Sequence, residues 1–255
     1  MRTDRQHGHV LPSPHAPLPQ SPPAIVRRLR ADERALTPAI LHWHGRGPIP
    51  RDVTLLALDR QRLIRRLGFS PHTGAAVVRL RPAERDDVAA RTDLVRLAEQ
   101  SPPLRARIRI GPAAPPLRLL AWYREAQRRF GVRWQLLAAI NFVESDFGRL
   151  RNTSTAGAQG PMQFEPATWS EYGMGGDVHD PHDAILAAAN YLRSNGGARD
   201  ERTAVYDYNH SPLYVDAVEH LAHRIAVVQT AFLEYYAWQV YVRTAHGDVR
   251  VTGPR

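Results

Sequence analysis

Trp134-Gln135-Leu136-Leu137-Ala138-Ala139-Ile140-Asn141-Phe142-Val143-Glu144-Ser145-Asp146-Phe147-Gly148 is the stretch on which the reading of this chain turns. From Trp134 to Val143 it is apolar on nearly all sides except Gln135 and Asn141, the pattern of a helix buried all round. Glu144 sits at the C-terminal end of that helix. Two effects act in one direction there: desolvation disfavours the carboxylate, and the negative end of the helix dipole disfavours it again. Both raise its pKa, and a carboxylic acid that stays protonated near neutrality suits donation to a glycosidic oxygen. For an isolated glutamate, fraying into solvent is the commoner case, so its neighbours must decide.

Outward from this helix the chain is rich in helix signals. Leu119, Leu120, Tyr123, Ala126 and Phe130 form a stripe that Gly131 breaks. Pro166-Ala167-Thr168-Trp169 reads as a short helix. Asp180-Pro181-His182-Asp183 offers a capping aspartate, a first-turn proline and a first-turn acid, with Ile185, Ala189 and Leu192 behind it up to Gly196. Ser211-Pro212 opens a helix through Ile225, another runs to about Trp238, and residues 240–251 read as a terminal hairpin. On the N-terminal side, residues 1–23 hold six prolines, and residues 1–50 are expected to be mostly disordered. From Asp52, as N-cap, Leu56, Leu63, Ile64 and Leu67 repeat at helical spacing until Gly68; a second helix starts at Pro82 and stops at Ser101-Pro102-Pro103. The expected division is a disordered leader (1–50), a basic helical accessory segment (51–100), a Pro-rich linker with a β-prone Ile108-Arg109-Ile110 (101–117), a main helical domain (118–225), and a C-terminal helix with hairpin (226–255).

The 255 residues include no cysteine, which excludes disulfides, zinc-thiolate sites and thiol nucleophiles. All 34 basic side chains are arginine and the formal charge is +9. Residues 1–111 hold 20 arginines against 10 acids, and residues 112–255 hold 14 against 15. The basicity therefore belongs to the N-terminal half. Around Arg60-Gln61-Arg62 and Arg65-Arg66 it reads as the solvated face of an amphipathic helix, and no groove-reading or aromatic-interleaved motif points to nucleic acid. No apolar run reaches the roughly 18 residues of a membrane span, and the first 30 residues lack the apolar core of a secretory signal. His42-Trp43-His44 and the pair His220 and His223 invite a metal reading, but no third ligand lies at suitable spacing; no metal and no cofactor are expected.

Ten residues beyond Glu144 begins Ser154-Thr155-Ala156-Gly157-Ala158-Gln159-Gly160-Pro161-Met162-Gln163-Phe164, followed by Pro166, Thr168 and Trp169; Tyr208-Asn209-His210-Ser211 comes later. These three ordered motifs, over roughly residues 118–225, resemble the soluble lytic transglycosylase (SLT) domain, near the branch that includes membrane-bound lytic transglycosylase B and of an actinobacterial type. The resemblance implies a mainly α, lysozyme-like domain with an N-terminal helical accessory segment and a short C-terminal β-hairpin. It implies Glu144 as the single catalytic acid/base. Around it the substrate-binding set would be Ser145, Ser154, Gly157, Ala158, Met162, Gln163, Phe164, Tyr208 and Asn209. Apart from the resemblance, glycines let a backbone approach a sugar ring, Gln163 and Asn209 offer donors and acceptors to hydroxyl and acetamido groups, and Tyr208 offers a ring face to pyranose carbons.

The implied substrate is peptidoglycan, and the implied location is the cell wall, outside the cytoplasmic membrane. Glu144 would protonate the oxygen between N-acetylmuramic acid and N-acetylglucosamine, then take the proton of the C6 hydroxyl, leaving a 1,6-anhydro end with the 2-acetamido group assisting, an exception to the two-carboxylate pattern. Asp146 is expected to point away from Glu144. Glu165, where the family carries an apolar residue, is expected to be exposed; facing the groove it would challenge a one-carboxylate mechanism. The alternatives are a hydrolysing muramidase on the same fold and a non-catalytic wall-binding module. For the basic N-terminal half, the functional alternatives to a solvated face are attraction to anionic wall polymers and, through residues 51–111, non-specific attraction to nucleic acid.

Overall fold

The structure is a computed structural model that describes residues 5–6, 9–68, 77–103, 106–197 and 199–254. Its helices are α1 (Pro22–Trp43), α2 (Arg51–Gly68), α3 (Pro82–Glu99), α4 (Pro116–Phe130), α5 (Trp134–Ser145), α6 (Pro166–Tyr172), α7 (Pro181–Ser194), α8 (Glu201–Tyr208), α9 (Pro212–Val227) and α10 (Ala231–Ala237). Six of them begin on proline, whose missing N–H has no intrahelical acceptor to lose at that position and whose fixed φ already suits a helix. Strands β1 (Arg5–Gln6) and β2 (His9–Val10) pair near the N-terminus, and β3 (Tyr241–Thr244) and β4 (Gly247–Arg250) form the antiparallel C-terminal hairpin. The chain is mainly α with that hairpin, as expected. Among the described residues no helix is long and apolar enough to cross a membrane.

The expected disorder of residues 1–50 is corrected by α1. Ile25, Val26, Leu29, Leu36, Ile40 and Trp43 recur at helical spacing and are all buried, enough apolar area to offset ordering the chain. The proline-rich leader before Pro22 masked a stripe that follows it. Residues 1–4 and 7–8 of that leader and 104–105 of the linker lie outside the described residues. α2 starts one residue before the expected cap, at Arg51. α8 was not anticipated: only Ala204 and Val205 are buried along it, so periodicity is silent, and the Asp200 cap on Thr203 N–H is its main local signal.

At the centre lies α5, whose Leu136, Leu137, Ala138, Ala139 and Ile140 are each at most 1% exposed. It packs against α4, α7 and α9, and the run Ala187-Ala188-Ala189 on α7 keeps that layer thin. α3 packs along α9, and α2 bridges α1, α3 and α10. The N-terminal helices and the later ones thus share one core.

The arginines of α2 are not a solvated face. Arg60 falls in register with Leu56, Leu63 and Leu67 on the buried side and is 1% exposed. Its Nε donates to Glu234 Oε1 at 2.5 Å and its Nη2 to Asp87 Oδ2 at 2.8 Å. Arg224 completes a square, with Nη2 2.7 Å from Glu234 Oε2 and Nε 2.9 Å from Asp87 Oδ2, and the Tyr235 hydroxyl donates to Asp87 Oδ1 at 2.6 Å. Two cations and two anions, buried together, neutralise one another across α2, α3, α9 and α10. Gln61 is buried against the Gln239 backbone, and Arg65 and Arg91 converge on Asp248 of the hairpin. Little of this positive charge faces outward. His220 and His223 likewise turn to one acid, with Nδ1 atoms 3.0 and 2.7 Å from the Asp86 carboxylate.

Candidate active site

Glu144 ends the apolar run of α5, and the chain reverses at once: Asp146 and Phe147 adopt positive φ of 50° and 62°. The helix therefore cannot continue past the acid. Glu144 forms part of the wall of a cleft of about 310 Å³ lined by the 154–165 loop on one side and by Asp207, Tyr208, Asn209 and His210 on the other. Burial pushes its carboxyl from 4.5 up to about 7, against the Tyr214 hydrogen bond, which lowers it. The Tyr214 hydroxyl donates to Glu144 Oε1 at 2.5 Å. Burial first, and then the Glu144 charge, hold the Tyr214 phenol well above its ordinary range, so it remains a donor.

The loop is tied to the back of the same helix. The Pro161 carbonyl accepts from Ser145 Oγ at 2.5 Å and from Asn141 Nδ2 at 2.8 Å, and Asn141 Oδ1 accepts from Tyr123 at 2.6 Å. At Gly160, φ is +74° and a Cβ would come within 1.9 Å of the Val178 carbonyl. Its need for glycine is close packing against backbone, not approach to a sugar.

The motif residues divide by position. Ser154, Ala158, Gln163, Phe164, Tyr208 and Asn209 line the cleft with Glu144. Ser145, 1% exposed, and Met162, 0% exposed, lie behind its wall. Their roles are internal: Ser145 Oγ also accepts from Gly148 N–H at 2.8 Å, and the Met162 carbonyl takes the Tyr208 hydroxyl at 2.6 Å. Gly157 turns the loop at φ +89°, away from the lining. Gln163 commits its Nε2 to the Gly160 carbonyl at 2.9 Å, which leaves its Oε1 as an acceptor. The Tyr208 ring stands edge-on to Phe164 and Tyr191, at 5.9 and 5.4 Å between centroids, and Trp169 packs behind Phe164 at 5.4 Å.

Tyr214, Tyr191 and Asp207 went unremarked in the sequence reading, and Thr168 and His210 were quoted there without a role, yet Tyr214 touches the acid and the others line the cleft. For Tyr214 a signal existed: it heads the buried stripe Tyr214, Val218, Leu221 of α9, and a buried phenol needs a partner. Glu165 is exposed, as expected, but it also faces the cleft. Two carboxylates close enough to flank one bond raise each other's pKa. Glu144 owes its shift to burial, with no contribution from Glu165 or Asp207. Asp146 points away, into a separate cavity with Arg65 and Arg91, and burial lifts it too to about 7, opposed by Arg149, Arg65 and Arg91.

Residues 122–223 match the family model described as the Transglycosylase SLT domain. Over 70 residues the chain is 39% identical to a membrane-bound lytic murein transglycosylase F of Thiobacillus denitrificans, covering 28% of this chain and 14% of that protein. Over 157 residues it is 29% identical to a membrane-bound lytic murein transglycosylase F 1 of Alkalilimnicola ehrlichii, covering 51% of this chain and 29% of that one. The chain thus spans less than a third of either relative, and both names are of the F type, so they do not carry the narrower B-like placement. A solved 36 kDa muramidase/transglycosylase aligns with a TM-score of 0.41 and 13% identity, over 78% of this chain and 94% of that one. Every residue that lines the cleft lies within 122–223, the stretch of the chain that is similar to the transglycosylase SLT domain.

Proposed function

We propose that this chain is an enzyme, a lytic transglycosylase that cleaves the MurNAc-β-1,4-GlcNAc bond of peptidoglycan and leaves a 1,6-anhydroMurNAc end, acting outside the cytoplasmic membrane where that polymer lies. The observation that carries the proposal is the state of Glu144. A carboxyl titrating at about 7 is protonated in a large fraction of molecules at neutral pH, and is basic enough once ionised to take a proton back. Glu144 first donates to the glycosidic oxygen. The muramyl C6 hydroxyl then attacks the anomeric carbon and returns its proton to Glu144, so no water is consumed. The Gln163 and Asn209 side chains and the Tyr208 ring orient the sugar from the two walls of the cleft. Mass spectrometry of purified wall digested in heavy-oxygen water tests this directly: anhydro ends without label are expected, and labelled reducing ends would overturn it.

The second reading, a hydrolysing muramidase, is favoured by one feature, the presence of Glu165 and Asp207 in the same cleft, where either carboxylate can hold a water. Label uptake that disappears in Glu165→Gln or Asp207→Asn would establish it.

Tyr214 supplies a separate prediction. Its hydrogen bond stabilises the ionised form of Glu144. In Tyr214→Phe the Glu144 pKa rises further, the protonated acid persists to higher pH, and the alkaline limb of the kcat/KM profile moves upward. A limb that stays put or moves downward contradicts the assignment of Tyr214 to the acid.

A further inference from the structure

On the other side of the 154–164 loop from the cleft is a second cavity, of about 380 Å³, whose lining includes Arg109, Arg151, His179, Phe147, Leu150 and Pro161 and contains no carboxylate. The linker builds it. Arg151 N–H donates to the Arg109 carbonyl at 2.8 Å, Gly111 N–H donates to the Arg149 carbonyl at 2.9 Å, and Ile110 pairs with Leu150 in antiparallel register. That register sets Arg109 opposite Arg151. Like charges facing each other across paired strands are destabilising, and among the described residues neither guanidinium meets an acid. Arg151, although exposed, is tethered to the linker. Its Nη2 donates to the Pro112 carbonyl at 3.1 Å, and its guanidinium lies where a side chain on Gly111 would sit, since a Cβ there would fall 2.1 Å from Arg151 Cζ.

Two facing guanidiniums, both exposed and with no acid beside them among the described residues, at an open site lined in part by Phe147, Leu150 and Pro161, fit a carboxylate on a short chain of small apolar groups: planar forks take the carboxylate and the apolar part of the lining takes the aliphatic part. A bare inorganic anion leaves the apolar part of the lining unused. The site also stands one loop away from the acid, because the carbonyl of Pro161, a residue of its lining, is held by Ser145, the neighbour of Glu144. A substituent hanging from a sugar in the cleft can reach around the loop. We propose that this cavity binds the terminal carboxylate of the peptide stem carried by the glycan strand in the cleft. The assignment rests on the glycan-cleaving reading above and adds to it the part of the substrate that selects one strand over another.

The test uses the full chain and two glycans, one carrying tetrapeptide stems and one stripped of them by an amidase, together with the free stem tetrapeptide and its C-terminal amide as binding probes in calorimetry. The parent is expected to prefer the stem-bearing glycan, and to bind the free tetrapeptide about tenfold more tightly than its amide. Arg109→Gln/Arg151→Gln reduces both ratios to near one. Gly111→Ala, which displaces the Arg151 guanidinium without changing any charge, lowers both in the same direction. Equal binding of acid and amide, or unchanged ratios in the variants, overturns the carboxylate site while leaving cleavage intact. A parent that binds the peptide but cuts neither glycan overturns the cleavage reading and leaves this site standing.

Discussion

Glu144→Gln is expected to lose about a thousandfold or more of glycan-cleaving activity, because one side chain serves as both acid and base, while still binding insoluble wall. The cleft around it stays as it is, and the Tyr214 hydroxyl, now 2.5 Å from a carboxylate oxygen, can donate equally to an amide oxygen. Full activity in this variant would remove Glu144 from the mechanism; loss of wall binding together with activity would mean that the substitution disturbed the cleft. Stability adds an independent check with a definite sign. Glu144 titrates at about 7 in the folded chain against an ordinary 4.5. A carboxyl raised in this way contributes stability that is fully present below about 4.5 and is lost as pH rises through about 7. The amide does not ionise, so the variant should be the more stable protein at pH 8 by up to about 3 kcal/mol, and equal to the parent at pH 4. Urea midpoints at the two pH values decide it. Catalysis and stability pull in opposite directions at this residue, as expected where an acid is kept neutral for work.

Glu234→Gln is expected to cost about 3–5 kcal/mol of folding stability and to lower Tm by on the order of 10 °C. Arg60 and Arg224 both bind this carboxylate and are each 1% exposed, so losing its charge leaves two buried cations facing Asp87 alone. Arg66→Gln, which removes a charge from the exposed hydrogen bond to Gln20, should cost under about 1 kcal/mol. Thermal and urea unfolding of the two variants side by side measures the contrast; similar losses in both would mean that the buried square contributes no more than a surface contact.

That square marks where local sequence patterns stop informing. Leu56, Leu63 and Leu67 gave away the helix, and by the same periodicity Arg60 belongs to its buried side; what the sequence hides is that Asp87 and Glu234, 27 and 174 residues further on, arrive to neutralise it. Glu144 was legible for a different reason: the apolar run before it and the stop after it announce burial, and burial is what raises its pKa. The loop motif and Tyr208-Asn209 were legible as a cleft, but the distinction between its lining and its backing was not. Ser145 and Met162 occupy the same short motifs as Gln163 and Asn209, and only the loop's hydrogen bonds to Pro161 and from Tyr208 separate them. α1 was readable in principle, as a stripe of Ile25, Leu29, Leu36 and Ile40, once the prolines before it are taken as a helix start.

The family segment ends at residue 223, one position short of Arg224. A fragment trimmed to that border would carry the whole cleft and yet strip α9 of the partner helix α3 that covers it, together with the charges that hold it down. The cleft is consequently not a portable cassette. Grafting it onto another protein, or expressing it alone, requires bringing along Arg60 and Asp87 from a stretch of chain that carries no sugar-cutting motif of its own.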